Sequence, residues 1–269
     1  MPLVFHTRPT LIAYVTCGDP ALATTREVVL AAIDSGADIV ELGVPFSDPV
    51  ADGPVIQRAS ERALRVGTTL RDVLALARDI RKQRSQAGLI VFSYFNPVLH
   101  YGIETFCDEA HGSGVDGALI TDLIPEEADA YVAAMRGSKL ATIFLAAPTS
   151  TDARLRHIAR VSTGFIYAVS RTGVTGTGQQ FSPAVKMQET RLLVRRLRRY
   201  SKLPIAVGFG IATPEQFAAA GEFADGVVVG SAIVQTVEKA GKAGAAQAVS
   251  DLLRNFRGGV SKTAVTQTR

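Results

Sequence analysis

Cysteine is scarce in this 269-residue chain. Its two cysteines, Cys17 and Cys107, stand far apart and in no C-x-x-C pattern, so neither a disulfide framework nor a cysteine zinc site is indicated. Cys17 ends an apolar run, the setting of a small buried thiol. Histidine is also sparse: His6, His100, His111 and His157 show no metal-ligand spacing, and His100, after "FNPVL", reads as an exposed loop residue. Long hydrophobic runs are missing too. No segment reaches transmembrane length, and Arg8 and Pro9 interrupt the apolar N-terminus, which does not read as a signal peptide. A cytoplasmic location is expected. A large excess of one sign of charge is also lacking. Lys and Arg number 29 against 25 Asp and Glu, a net +4 that suits solubility and is compatible with a small phosphorylated substrate.

What the chain does have is rhythm. Apolar, β-branched runs recur as "LIAYVT" (11–16), "DIVELG" (38–43), "GLIVFSY" (88–94) and "GALIT" (117–121). They continue as "ATIFLAA" (141–147), "GFIYAVS" (164–170), "PIAVGFG" (204–210) and "DGVVVGS" (225–231). Near-continuous apolar character fits parallel strands covered on both faces. Helical spacing fills the gaps: in "RLLVRRLRRY", Leu193, Leu197 and Tyr200 share one face and the arginines take the other. "TPEQ" at 213–216 reads as a capping box with proline at the first helical position. Strands alternating with helices in this way predict an α/β fold, a single (β/α)8 TIM barrel over residues 1–269. An open doubly wound sheet is the alternative, but G-x-G-x-x-G is missing after the first strand.

One segment carries a concentration of carboxylates: "VELGVPFSDPVADGPVIQ", residues 40–57. Strand alternation puts Ile39 and Glu41 on one face and Val40 and Leu42 on the other. With the latter pair against helices, Glu41 points into the barrel at the strand's C-terminal end, where barrel enzymes hold their chemistry. An ordinary ion-paired Glu is the competing explanation, yet none of the eight runs contains Lys or Arg, and Arg171 lies just past one. Asp52 is open between a functional carboxylate and a cap for the helix that follows. Asp48, before Pro49, is open between function and a turn.

Three glycine-bearing segments come late: "SRTGVTGTG" (170–178), "GFG" (208–210) and "GS" (230–231). The last two close strands seven and eight, and "GSAIVQTV" runs into a helix. Backbone amides at a helix N-terminus make this a phosphate cradle, although each glycine alone could serve only a turn. "TGVTGTG" is permissive enough for a closing lid. The arginines of "RRLRRY" read as a solvated helix face, without the interleaved aromatics of a single-strand nucleic-acid groove.

These segments together resemble the tryptophan synthase alpha chain family. The resemblance rests on "ELGVPFSDPVADGPVIQ", "VTCGDP" (15–20), "SYFNPV" (93–98), "GVDGALITDL" (114–123), "SRTGVTG", "GFGI" with "PEQ", and "GSAIV", an ordered set over nearly the whole chain. It implies a cofactor-free lyase that splits indole-3-glycerol phosphate into indole and glyceraldehyde 3-phosphate. It also implies a beta chain partner in an alpha2beta2 heterotetramer, whose pyridoxal phosphate joins the indole to serine. By resemblance, Glu41 is the general acid/base and Asp52 accepts the indole N–H. Tyr167 lies near the acid/base, and Thr175 is the lid threonine that closes over Asp52. Gly176, Gly210, Gly230 and Ser231 match the phosphate cradle, and Asp48 sits in the loop that communicates with the beta chain. No metal is implied. Three departures stand out: an N-terminus shorter than is common in the family, where a helix often covers the lower end; Tyr14 where phenylalanine is frequent; and the lid continuation "TGQQFSP".

Two other readings compete. A phosphate-binding aldose isomerase barrel would favour a strand-end lysine or a second strand-borne carboxylate, and neither is evident. A non-catalytic activating subunit would have no need of Glu41, Asp52 and Thr175.

Overall fold

Each apolar run becomes a parallel strand because both of its faces find a core. The computed structural model describes residues 3, 5, 7–169, 182–208 and 210–266. In chain order the elements are β1 (Thr10–Thr16), α1 (Leu22–Asp34), β2 (Ile39–Gly43), α2 (Pro54–Arg65), α3 (Leu70–Gln83) and β3 (Gly88–Ser93). Then come α4 (Phe95–Tyr101), α5 (Ile103–Gly112), β4 (Gly117–Ile120), a 3-10 turn (Pro125–Glu127), α6 (Asp129–Gly137) and β5 (Ala141–Ala146). The chain continues through α7 (Asp152–Val161), β6 (Ile166–Val169), α8 (Pro183–Leu197), β7 (Ile205–Gly208), α9 (Pro214–Gly221), β8 (Gly226–Val229) and α10 (Ser231–Thr266). Gly241 breaks α10 with φ 65°.

The strands close in sequence order into an eight-stranded parallel barrel, with β8 pairing back onto β1. This is the TIM barrel that the alternation of strands and helices predicts. Ile12, Ile39, Ile90, Leu119, Ile143 and Val228 fill the barrel interior. Alternate residues such as Leu11, Ala13, Val40 and Leu42 pack outward against the helices. Fully burying a valine, leucine or isoleucine side chain contributes about 1.5–3 kcal/mol. The capping box at Thr213 and Gln216 forms as expected, and a second joins Thr69 and Asp72.

At the N-terminal end of the barrel, carboxylates tie neighbouring strands together. Asp38, Asp116 and Asp225 each directly precede an even-numbered strand. Their carboxylates accept the amides of Leu11 (2.8 Å), Leu89 (2.8 Å) and Ile205 (2.9 Å) on the neighbouring strand. Each also meets an arginine: Arg257, Arg81 and Arg198 respectively. Phe5 packs edge-on against Phe165 with ring centroids 5.7 Å apart. Leu3 lies against Gly88 and Gly164, and Phe5 against Gly226. Among the described residues no helix precedes β1; Leu3 and Phe5 cover that end instead.

Candidate active site

Glu41 lies on β2 between Tyr14 of β1 and Ile90 of β3. Val40 and Leu42 join the outer core, so the alternation aims Glu41 inward as expected. The residue is 0% exposed, and neither carboxyl oxygen has a hydrogen-bond partner among the described residues. Burial raises its pKa from the ordinary 4.5 to about 8. An unpaired carboxyl in such a site holds its proton at neutral pH and is poised to give it away.

The loop between β2 and α2 presents Asp52. Its amide donates to the Pro49 carbonyl at 3.0 Å, and its carbonyl accepts from Gln57 Nε2 at 2.9 Å. The capping alternative is not realised: Gly53 is the N-cap of α2, and no side chain caps it. The Asp52 carboxylate instead accepts a hydrogen bond from the Tyr94 hydroxyl at 3.0 Å. Burial raises Asp52 to about 6, while the bond from Tyr94 opposes the rise. Asp52 is therefore largely ionised at a pH where Glu41 is protonated. Two carboxyl groups with pKa values driven apart by their surroundings can divide acid and charge-stabilising roles.

Tyr94 is the residue that sequence reasoning missed. It follows directly after β3, within "SYFNPV", at a strand's C-terminal end where barrels place site residues. Its ring stacks on Phe46 with centroids 5.0 Å apart, and its hydroxyl also accepts the Ala51 amide at 3.0 Å.

Two more tyrosines line the interior. Tyr167 on β6 is buried, and its hydroxyl lies where a Cβ on Gly208 would be. Burial, then the charge of Glu41, raises its pKa well above the phenol range, so it stays a hydrogen-bond donor. Tyr14 is placed likewise over Gly43 and packs edge-on against Phe92 at 5.0 Å. Thr16 Oγ1 donates to the Tyr14 hydroxyl at 3.4 Å. Only glycine at 43 and 208 leaves room for these rings.

The expected phosphate end is partly described. Gly210 has φ 60°, a left-handed conformation that favours glycine. Gly230 follows β8, Ser231 begins α10, and the Gly230 carbonyl accepts the Val234 amide at 3.1 Å. The open N-terminal end of α10 suits an anion. Thr175, Gly176 and Arg171 lie outside the described residues, as do His6 and Phe209 of "GFG". Asp48 is exposed on the β2–α2 loop. His100 is exposed but belongs to α4 rather than a loop. A cavity of about 640 Å³ opens beyond β4–β6, lined by Thr121, Leu123, Pro125, Leu145, Ser150 and Val169, with neither Glu41 nor Asp52 in its wall. Cys17 and Cys107 are buried free thiols. Among the described residues no His, Cys, Asp or Glu group is arranged for a metal, and no helix is long and apolar enough to cross a membrane.

Comparison with known proteins identifies relatives of this chain. The profile of the family described as "Tryptophan synthase alpha chain" matches residues 3–264. The tryptophan synthase alpha chain of Solibacter usitatus is 52% identical over 232 residues, covering 86% of this chain and 85% of the relative. That of Geobacter sulfurreducens is 47% identical and covers 88% of each. Among solved structures, tryptophan synthase subunit alpha from Legionella pneumophila superposes with a TM-score of 0.85 at 38% identity, covering 94% of this chain and 93% of that one. Tryptophan synthase from M. tuberculosis gives a TM-score of 0.83 at 36% identity, covering 94% and 92%. With a profile match across nearly its whole length, this chain belongs to the tryptophan synthase alpha chain family.

Proposed function

We propose that the chain cleaves indole-3-glycerol phosphate by a retro-aldol reaction, releasing indole and glyceraldehyde 3-phosphate. The buried, unpartnered carboxyl of Glu41 is the observation that carries this reading. Protonated Glu41 delivers its proton to the indole ring carbon that bears the side chain. Positive charge then develops on the ring nitrogen, whose N–H donates to ionised Asp52. Glu41, now a carboxylate, takes the proton of the adjacent side-chain hydroxyl. The O–H electron pair becomes the aldehyde C=O, the carbon–carbon bond breaks, and its electrons return to the ring to neutralise the nitrogen. Every electron pair ends on substrate, so the step calls for no cofactor. Tyr167 supports the reacting end, and Gly176, Gly210, Gly230 and Ser231 hold the phosphate, with Thr175 on the closing segment.

An alpha chain implies a beta chain. We assign the complex alpha2beta2 stoichiometry in the cytoplasm, with residues 1–269 as one barrel domain. In it, indole passes directly to the beta chain, where pyridoxal phosphate supports its union with serine. Free indole is small and apolar, and direct transfer keeps it from escaping. Asp48, exposed on the loop that carries Asp52, communicates with that partner. The deciding assay measures indole released from indole-3-glycerol phosphate, with and without a beta chain. Release should occur alone and rise with the partner; no release in either condition would overturn the assignment.

A further inference from the structure

Behind the site lies a group of four charged side chains that the chemistry does not use. Arg62 of α2 grips Asp19, in the turn after β1, with Nε to Oδ1 at 2.7 Å and Nη2 to Oδ2 at 2.8 Å. Its remaining nitrogen, Nη1, donates to Glu238 Oε1 on α10 at 2.7 Å. Arg58, one turn earlier on α2, also reaches Glu238, with Nε to Oε1 at 3.1 Å and Nη2 to Oε2 at 3.0 Å. Asp19 is only 3% exposed, whereas the Arg62 and Glu238 side chains keep about a quarter of their surface at 26% and 27%. Two cations and two anions pair with one another and leave the group neutral.

Its position is informative. The helix α2 starts two residues after Asp52, and α10 starts at Ser231. Arg62 lies two turns along α2, and Glu238 lies seven residues, or two turns, after Ser231. The clamp therefore joins two helices at equal depth below their N-terminal ends. One end carries the carboxylate assigned to the indole N–H, and the other carries the turn assigned to the phosphate. Arg62 grips Asp19 bidentately and adds one bond to Glu238, which Arg58 holds bidentately, so the two helices meet through the shared Glu238. Bidentate pairs fix geometry, and rigid helices carry it up to the site.

We infer that Arg62, clamped between Asp19 and Glu238, is a positioning residue that sets the distance between the indole-binding and phosphate-binding ends of the site. It touches no reacting atom. It acts as a spacer, so its effect falls on ligands that engage both ends at once. Ligands that occupy one end are indifferent to it. The inference rests on the assignment of Asp52 and the 230–231 turn to one substrate.

The test compares two variants with the wild-type chain. Glu238→Ala cuts the link to α10 but leaves the part-buried Asp19–Arg62 pair, and Arg62→Lys keeps a cation with fewer bonds. Binding is measured for a non-cleavable indole carrying a three-carbon chain ending in phosphate, and for glycerol 3-phosphate, which reaches only one end. Both variants should bind the two-ended analogue about 10- to 100-fold more weakly, as the gain from engaging both ends at once is lost. Glycerol 3-phosphate affinity should stay within about twofold, since that ligand engages one helix end only. Discrimination between three- and four-carbon linkers should also relax. Unchanged affinity for the two-ended analogue overturns the inference. So does parallel weakening of both probes, which marks a strut for the fold. A wild-type chain that binds both probes equally overturns instead the underlying site assignment.

Discussion

The Tyr94 hydroxyl donates to Asp52 Oδ2 at 3.0 Å while accepting the Ala51 amide at 3.0 Å, so one side chain fixes both the carboxylate and the backbone beside it. The bond stabilises the ionised form of Asp52 against burial. In Tyr94→Phe the Asp52 pKa should therefore move above about 6. A hydrogen bond to a charged group is worth about 1.5–3 kcal/mol, so kcat/KM should fall by about 10- to 100-fold. A pH–rate profile checks this: its acidic limb should shift to higher pH, and an unmoved limb would detach Tyr94 from Asp52.

Glu41→Gln should lower turnover by about 10²–10⁴-fold while substrate still binds. It should also alter stability. Because burial holds the folded-state pKa near 8, above the ordinary 4.5, folded protein binds more protons than unfolded protein between those values. The wild type thus loses stability as pH rises through that window. The glutamine variant lacks this loss, so its melting temperature should exceed that of the wild type at pH 8 and the gap should close near pH 5. Parallel melting curves across pH would contradict the buried, unpaired state of Glu41.

Gly230 separates charge from size. A Cβ there meets Tyr14 Cβ at 3.5 Å, an ordinary contact. Gly230→Ala should bind the phosphorylated analogue nearly as the wild type does. Gly230→Asp sets an anion beside the phosphate and should weaken binding by about tenfold or more. Calorimetric titration of both variants decides it, and equal affinities would remove this turn from the phosphate site.

Asp48→Ala should reduce activation by a beta chain more than basal cleavage, since Asp48 is exposed whereas the acid Glu41 is buried. The coupling at stake is about 1–3 kcal/mol. Indole release assayed with and without partner gives the ratio directly. Equal loss in both assays would place Asp48 in the site itself.

At the opposite end, Asp116 accepts from Leu89 N at 2.8 Å and Arg81 Nη2 at 2.6 Å. Asp116→Ala should cost about 2–3 kcal/mol in denaturant unfolding, less than a fully buried pair because Arg81 keeps carbonyl partners. Its kcat should stay close to that of the wild type. A large loss of kcat with little loss of stability would refute the division between a structural lower end and a chemical upper one.

Much of this architecture was legible locally. Continuous apolar runs mark the eight strands because a parallel strand in a closed barrel buries both faces. The inward aim of Glu41 follows from its neighbours Val40 and Leu42, since side chains alternate along any strand. The Thr213–Gln216 cap is legible because its partners are three residues apart.

Asp52 shows where local pattern stops. Its neighbours suit a helix cap as well as a site carboxylate, and its side chain bonds to Tyr94, 42 residues away, instead of capping α2. Arg62 reads as one more polar residue on an amphipathic helix, yet its partners lie 43 and 176 residues distant. Gly43 and Gly208 look like ordinary strand ends until tyrosine rings come to rest beside them. Sequence by itself determined which residues face inward and where elements begin, because those depend on backbone periodicity and short-range caps. Tertiary structure alone decided which inward groups meet and which carboxyl keeps its proton. Those outcomes depend on how the strands close into a barrel and how far each group is withdrawn from water.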